Sequence, residues 1–472
     1  MWSAAADRWA PWLAYGYGLL VAFALGHFLL GLPIQFSDSF GNMLKLSMPW
    51  RDLLYGELTQ HAYLRPLLWA ELKLVHDLSG GSYFAWYRGV HVAQVVMLVL
   101  LYIRLVRPRT LLDAAVVPLG LAVLAGLHTF TGTIREAFPI NTFMTVLLFC
   151  FAAANLAFAR YRWWNDVLAV LLFAGAALTV ESGLLVWVIF VGAALLGARG
   201  ISRGGVSALV VLLAGYFILR FAVLDVGSPG LIERSSGFGF GILEPGELVE
   251  RFGSNPWPFY AYNVVTSALS VLLSEPTGGA FRFTAQVLRG DLGLSTLISP
   301  VASLLATLLV AAFAWRRREA WRSWRLDRDD RLVLLFVLVL VANAVISYPY
   351  TRDVIMSPAG AFFAVAVLVA ARHAAASLPV GASAPVAVAI VALFAVMGAT
   401  WAVRVAGAHT NLRRAAYVDR NEWAYAEESL RREGAVLGDA DRVLLRQLTD
   451  DAVYRYPAPP PLELPWAERL GI

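Results

Sequence analysis

The 472-residue sequence is poor in cysteine, lysine, histidine and charge of either sign. Its one cysteine, Cys150, lies inside an apolar run, which excludes an internal disulfide and a thiolate metal cluster. Lys45 and Lys73 are the only lysines among 38 basic residues, and the arginine excess is what a GC-rich bacterial genome favours. Charged residues make up 15% of the chain, well below the roughly 25% of average soluble proteins. Disordered chains, nucleic-acid-binding domains and secreted disulfide scaffolds are thereby excluded. No P-loop, Rossmann fingerprint or GxSxG occurs, which argues against an ATP-driven or dinucleotide enzyme. His, Glu and Cys nowhere cluster at metal-ligand spacing.

Apolar residues are abundant: 59% of the chain is hydrophobic and the mean hydropathy is +0.64. The 16 Trp, 17 Tyr and 26 Phe supply rings suited to membrane–water interfaces. A polytopic, all-α integral membrane protein follows. A bilayer core needs roughly 20 apolar residues per helix, and runs near 11–33, 84–106, 111–128, 138–159, 164–180, 183–198, 205–224, 293–315, 331–347, 357–373 and 383–405 qualify, about eleven spans. The first has no small-residue cleavage site behind it and reads as a signal anchor. A further run, 258–274, is expected to be re-entrant or interfacial.

Arginine sets direction. Arg104, Arg107 and Arg109, then Arg160 and Arg162, Arg199 and Arg203, the block from Arg316 to Arg331, and Arg372 all fall on one side if the amino terminus is cytoplasmic and 258–274 does not cross. Outer loops are then 34–83, 225–292 and 348–356. The expected division is a membrane domain, 1–405, and a small outer carboxyl-terminal segment, 406–472, ending in the extended PAPPPLELPW. The expected location is a bacterial inner membrane, with the carboxyl terminus outside. The halves show no inverted symmetry of the transporter kind.

Chemistry-bearing residues gather at the outer side. Asp38, in QFSDSFGN, stands just beyond the first span, where a partly dry carboxylate can act as a general base toward a hydroxyl. An ordinary solvated loop acid is the alternative. Arg65-Pro66 opens an amphipathic segment expected to lie along the interface. Glu71 falls among its apolar positions, as a slightly rotated helix would place it; an internal cation is the other explanation. Arg135 and Glu136 follow the third span and, being adjacent, face different partners. Glu181 interrupts LTVESGLLVW, either as a paired intramembrane acid or as a simple turn. Arg220 lies near the outer end of its span, with snorkelling as one outcome. Arg352, in SYPYTRDV, is either an interfacial anchor with Tyr350 or a planar grip for phosphate. His91, inside the second span, reads as a packed histidine.

At these residues the chain resembles the GT-C superfamily of polytopic glycosyltransferases, nearest the protein O-mannosyltransferase branch. Asp38 is similar to the acidic residue of that family's first outer loop. YLRPLLW with HVAQVVMLVLLY, GLHTFTGTIRE, TVESGLL and YTRDVIMSPAGAFF resemble its later motifs, with Val180 where the family has a lysine. The resemblance implies a polyprenyl-phosphate-linked sugar donor, a hydroxyl acceptor (protein, glycan or lipid) and the lipid bilayer as partners, without nucleic acid. It implies Asp38 as catalytic base, Arg65, Arg220 and Arg352 as phosphate ligands, and Arg135, Glu136, Glu181 and Tyr350 in support. The family often pairs acids in its first loop, whereas Asp38 stands alone, so no metal ligand set and no cofactor are expected, with a divalent metal left open. The rival functions are an envelope polysaccharide polymerase or ligase, and a non-enzymatic transporter or flippase.

Overall fold

The computed structural model describes residues 7–59, 64–135, 138–224, 235–273, 279–290, 294–377, 384–432, 434 and 436–456. Side chains of residues 37, 38, 59, 279–282, 294–296 and 384–391 lie outside this description, as does all of Glu136. The described chain is almost entirely helical. All eleven apolar runs fold as helices: α1 (Ala10–Leu30), α5 (Tyr83–Val106), α6 (Leu111–Gly126), α8 (Thr142–Ala157), α9 (Trp163–Ala177), α10 (Leu185–Leu195), α11 (Arg203–Phe217), α15 (Leu294–Arg322), α16 (Arg328–Ile346), α17 (Ser357–Ala376) and α18 (Ala384–Arg420). Six helical stretches among the described residues are long and apolar enough to cross a membrane, or seven if the bent pair Leu111–Gly126 and His128–Arg135 is one span. The chain is a multi-pass membrane protein. Shorter helices complete it: α2 (Ser37–Ser47), α3 (Trp50–Thr59), α4 (Pro66–Leu78), α7 (His128–Arg135), α12 (Pro245–Phe252), α13 (Trp257–Leu273), α14 (Gly279–Arg289), α19 (Ala426–Arg432) and α20 (Asp439–Thr449).

Local chemistry sets several boundaries. Thr110 and Asp113 form a capping box at the start of α6, Asp327 and Asp330 do so at α16, and the Ser202 hydroxyl caps α11. Pro66 occupies the first turn of α4, where its missing N–H costs nothing. The centre of the bundle is α17: from Ser357 to Ala371 every residue is buried, enclosed by α6, α15 and α16. A helix apolar all round is what such a position requires.

The contacts sort the loops onto two ends. At one end Asp7 accepts from the Leu111 N–H, Arg328 donates to the carbonyls of Leu105 and Phe158, and Arg372 donates to Val106 and pairs with Asp329. Asn165 donates to the Gly200 carbonyl there, and the arginine clusters read from the sequence share that end. At the other end the first loop and the carboxyl-terminal segment form one layer. Trp423 packs edge-on against Phe36 and Phe40, Gln447 donates to the Gly81 carbonyl, and Leu444, Leu445 and Leu448 are buried with Phe40, Met43 and Leu72. One helix, α18, runs unbroken through residue 405 and carries the chain from the bundle into this layer.

The run 258–274 forms α13. Its Asn263 donates to the carbonyls of Ser236 and Tyr348, and its Leu272 carbonyl accepts from Thr307, near the middle of α15. The short hairpin Ser235–Gly237/Gly241–Leu243 is tied to the 348–352 loop through Ser236, whose N–H donates to Pro349 and whose carbonyl accepts from Thr351.

Candidate functional site

Glu181 stands in a single 3₁₀ turn, Glu181–Leu184, between α9 and α10. The turn is seated against the end of α9 so closely that a Cβ on Gly183 would overlap the Ala176 carbonyl, which makes glycine obligatory there. Leu67, in the first turn of α4, donates its N–H to the Leu178 carbonyl at 3.1 Å and so brings Arg65 to the same place. Arg65 then donates from Nε and Nη2 to Glu181 Oε2, at 3.2 and 2.7 Å.

The second cation arrives from α11. Past Phe217 the helix loosens into one π turn, Ile218–Val223, of the kind that often re-aims a side chain at functional positions. Arg220 points inward, donating from Nη1 to Glu181 Oε1 at 3.0 Å and to the Tyr216 hydroxyl at 2.9 Å. Snorkelling toward water does not occur: the Arg220 side chain is only 4% exposed, because a carboxylate lies within reach inside the protein. Arg65 and Glu181 are 29% and 23% exposed, so the cluster opens on one side. Around Arg220, the side chains of Phe217, Ile218, Leu219, Phe221 and Val223 face outward. The ion cluster is therefore one helix away from an apolar outer surface.

One carboxylate thus holds two guanidiniums. The Arg220 Nε is buried with no hydrogen-bond partner among the described residues. An arginine fork with a spare donor suits a planar or tetrahedral oxyanion.

Arg352 is exposed and lies over the Tyr350 ring at 5.0 Å, outside the Arg65–Glu181–Arg220 cluster. The following turn, Asp353–Met356, packs on α7, α16 and α17, and Asp353 lies 3.2 Å from His128 Nε2. The turns at 181–184 and 353–356 both pack on α16, so Arg352 belongs to the same end of the bundle. Arg135 pairs with Asp419 of α18 at 2.8 Å, and Glu136 lies outside the described residues. Asp38 is in the first turn of α2, and its side chain lies outside the description. Its neighbours are held on both flanks: the Ser39 hydroxyl donates to the Phe138 carbonyl at 2.8 Å, and Phe36 and Phe40 contact Trp423. His91 is fully buried, as a packed histidine should be.

Glu71 had a weak sequence signal, a carboxylate among apolar positions, and it is not directed at a cation. Gln94 Nε2 reaches its Oε1 at 3.4 Å, and Thr145 and Asn141 also hydrogen-bond to it. Burial outweighs these donors and holds the Glu71 carboxyl above the usual range. Among the described residues no group of three or more His, Cys, Asp and Glu is placed to hold a metal ion.

No family model, curated protein or solved structure matches the chain.

Proposed function

We propose that this protein is a membrane glycosyltransferase that moves a sugar from a polyprenyl-phosphate donor to a hydroxyl acceptor. The observation that carries the reading is the Arg65–Glu181–Arg220 cluster, two guanidiniums held by one carboxylate, half-open and one helix from the lipid-facing side of α11. A lipid-linked donor sliding in the bilayer meets such a site laterally, and its lipid anchor supplies proximity without a nucleotide pocket.

The chemistry follows from charge. As the acceptor oxygen bonds to the anomeric carbon, the bond from that carbon to the phosphate oxygen breaks. The phosphate passes from a singly charged diester to a monoester near two negative charges, so its demand for cations rises along the reaction. Arg65 and Arg220 are held by Glu181 before that charge develops, which is the arrangement that lowers a barrier. Asp38 takes the acceptor proton. Arg352 and Tyr350 form a further grip at the same end, and Arg135 braces α7 against α18. The arginine-rich end faces the cytoplasm of a bacterial inner membrane under the positive-inside rule, which leaves the site outside. The resemblance to the GT-C superfamily supports this reading.

The test is transfer of a radiolabelled mannosyl or arabinosyl group from its polyprenyl phosphate by the purified protein in proteoliposomes. Asp38→Ala and Arg220→Ala are expected to lower transfer at least about 100-fold, the scale of lost general-base or electrostatic assistance. Full activity of Asp38→Ala removes the base, and full activity of Arg220→Ala removes the phosphate site.

One observation favours a second reading, a lipid-linked sugar translocator. Arg404 is buried in α18, stacked on Trp401 and donating to Ser303 Oγ and the Ser299 carbonyl, a charge within the bundle of the kind transport pathways use. Donor crossing the bilayer with no transfer to any acceptor decides for it.

A further inference from the structure

Outside the ion cluster, the outer half of the bundle holds a second polar constellation, and it is built only of groups that read hydroxyls. Asn141 Nδ2 donates to Gln94 Oε1 at 2.6 Å, and Gln94 Nε2 donates to Thr145 Oγ1 at 3.1 Å and to Glu71 Oε1 at 3.4 Å. The four residues come from α4, α5, the cap of α8 and its first turn. Gln94, Asn141 and Thr145 are buried, while Glu71 keeps partial exposure. Such a network is expensive in a membrane protein unless every member is satisfied. One is not: Asn141 Oδ1 is buried and accepts from nothing among the described residues. An O–H or N–H is the group that satisfies such an atom.

The position adds a second constraint. Glu71 is six residues after Arg65, the cap of α4, about 9 Å along the helix axis. The Thr142–Ala157 helix that carries Thr145 also packs against the Glu181 turn. The ion cluster and the Glu71 network therefore share α4 and α8, and a ligand with phosphate oxygens at Arg65 and Arg220 has its next group along these two elements.

We propose that Glu71, Gln94, Asn141 and Thr145 form the subsite that recognises the hydroxyls of an uncharged sugar on the phosphate. This rests on the phosphate reading of the Arg65–Glu181–Arg220 cluster. Asn141 Oδ1 accepts from one sugar hydroxyl, and Glu71 engages a neighbouring one. The Glu71 carboxyl offers two oxygens to a hydroxyl, and burial raises its tendency to hold a proton. A uronic acid turned toward Asn141 Oδ1 sets a carboxylate against an oxygen with no proton to give and is rejected.

Binding to the full-length protein in detergent separates the two claims. The probes are farnesyl phosphate, farnesyl-phosphoryl mannose and farnesyl-phosphoryl glucuronic acid, read by intrinsic tryptophan fluorescence. Wild type is expected to bind the mannosyl compound at least about tenfold tighter than farnesyl phosphate, the sum of a few hydrogen bonds, and the glucuronosyl compound no tighter. Glu71→Gln and Asn141→Ala, checked by their melting temperatures, should lose most of that gain while binding farnesyl phosphate as wild type does. Thr145→Val gives a third, nearly isosteric probe of the same gain. A packing role alone would lower melting without altering the ratio between probes. An unchanged mannosyl gain in all three variants, or a glucuronosyl gain equal to the mannosyl one, overturns the subsite. Loss of farnesyl phosphate binding only in Arg220→Ala supports the phosphate site independently, and no farnesyl phosphate binding by wild type overturns both.

Discussion

The indole Nε1 of Trp423 donates to the carbonyl oxygen of Ile34 at 3.0 Å, joining residues 389 positions apart. Ile34 lies in the connection from α1 to α2, and Trp423 lies in the turn that follows α18. The carboxyl-terminal segment is thus fixed to the stretch that carries Asp38. Trp423 is 2% exposed and contacts both Phe36 and Phe40, which bracket Asp38 in the chain.

Removing that ring leaves a cavity and an unpaired Ile34 carbonyl. Trp423→Ala should destabilise the protein by about 3–5 kcal/mol. The check is the thermal melt in detergent. Arg135→Ala, by contrast, breaks a pair whose arginine is half-exposed, and its effect should stay below about 1 kcal/mol.

Sidedness is testable because the only native cysteine is buried and serves as a silent background. Arg51→Cys and Val436→Cys lie in the layer of first loop and tail, and Arg109→Cys lies at the arginine-rich end; all three positions are exposed. A membrane-impermeant maleimide added to intact cells should label the first two and spare the third. Labelling of Arg51→Cys and Val436→Cys from opposite faces would falsify the shared layer.

Glycine at 183 fixes where the Glu181 carboxylate stands. Gly183→Ala forces the 181–184 turn off α9, an overpacking cost of roughly 1–3 kcal/mol. Glu181→Gln leaves two guanidiniums facing each other with less compensation, one of them almost fully buried; partial exposure of the other limits the loss to roughly 2–3 kcal/mol. Added salt should recover part of the Glu181→Gln loss by screening that repulsion, and none of the Gly183→Ala loss, when both melts are compared.

The Glu71 carboxyl is raised from an ordinary value of 4.5, chiefly by burial, with the Thr145 and Asn141 hydrogen bonds opposing. A folded value above the unfolded one means that the native state binds the proton more tightly. Its contribution is fully present below the unfolded value and is lost as pH rises through the folded one. Wild type should therefore lose stability relative to Glu71→Gln as pH increases from about 4.5, where the sign is set by this one group. A wild-type advantage that grows with pH over that range contradicts the shift.

Much of the architecture was legible from composition and periodicity. Each of the eleven apolar runs is a helix, because a stretch that buries no charge has no favourable state in lipid except one that satisfies its own backbone. Arginine spacing anticipated the gathering of five basic clusters at one end. The end of α18 was less legible: Arg404 and the polar residues after it suggest a boundary near 405, yet the helix continues to Arg420, with buried residues such as Leu412, Ala416 and Tyr417 along its extension.

The site divides in the same way. Charge type and approximate depth of Arg65, Glu181 and Arg220 can be read from the chain, since ionisable residues at membrane boundaries are few and conspicuous. Their union cannot, because 116 residues separate Arg65 from Glu181 and 39 separate Glu181 from Arg220. Hydropathy alone determined that this chain would be a bundle of helices crossing lipid, for burying apolar surface is a local property summed along the sequence. Which acid would meet which cation, and that Glu71 would turn toward amides instead of an arginine, was decided only by the packing of α4 against α5, α8 and the end of α9, since pairing in a low-dielectric interior depends on distances that no spacing along the chain encodes.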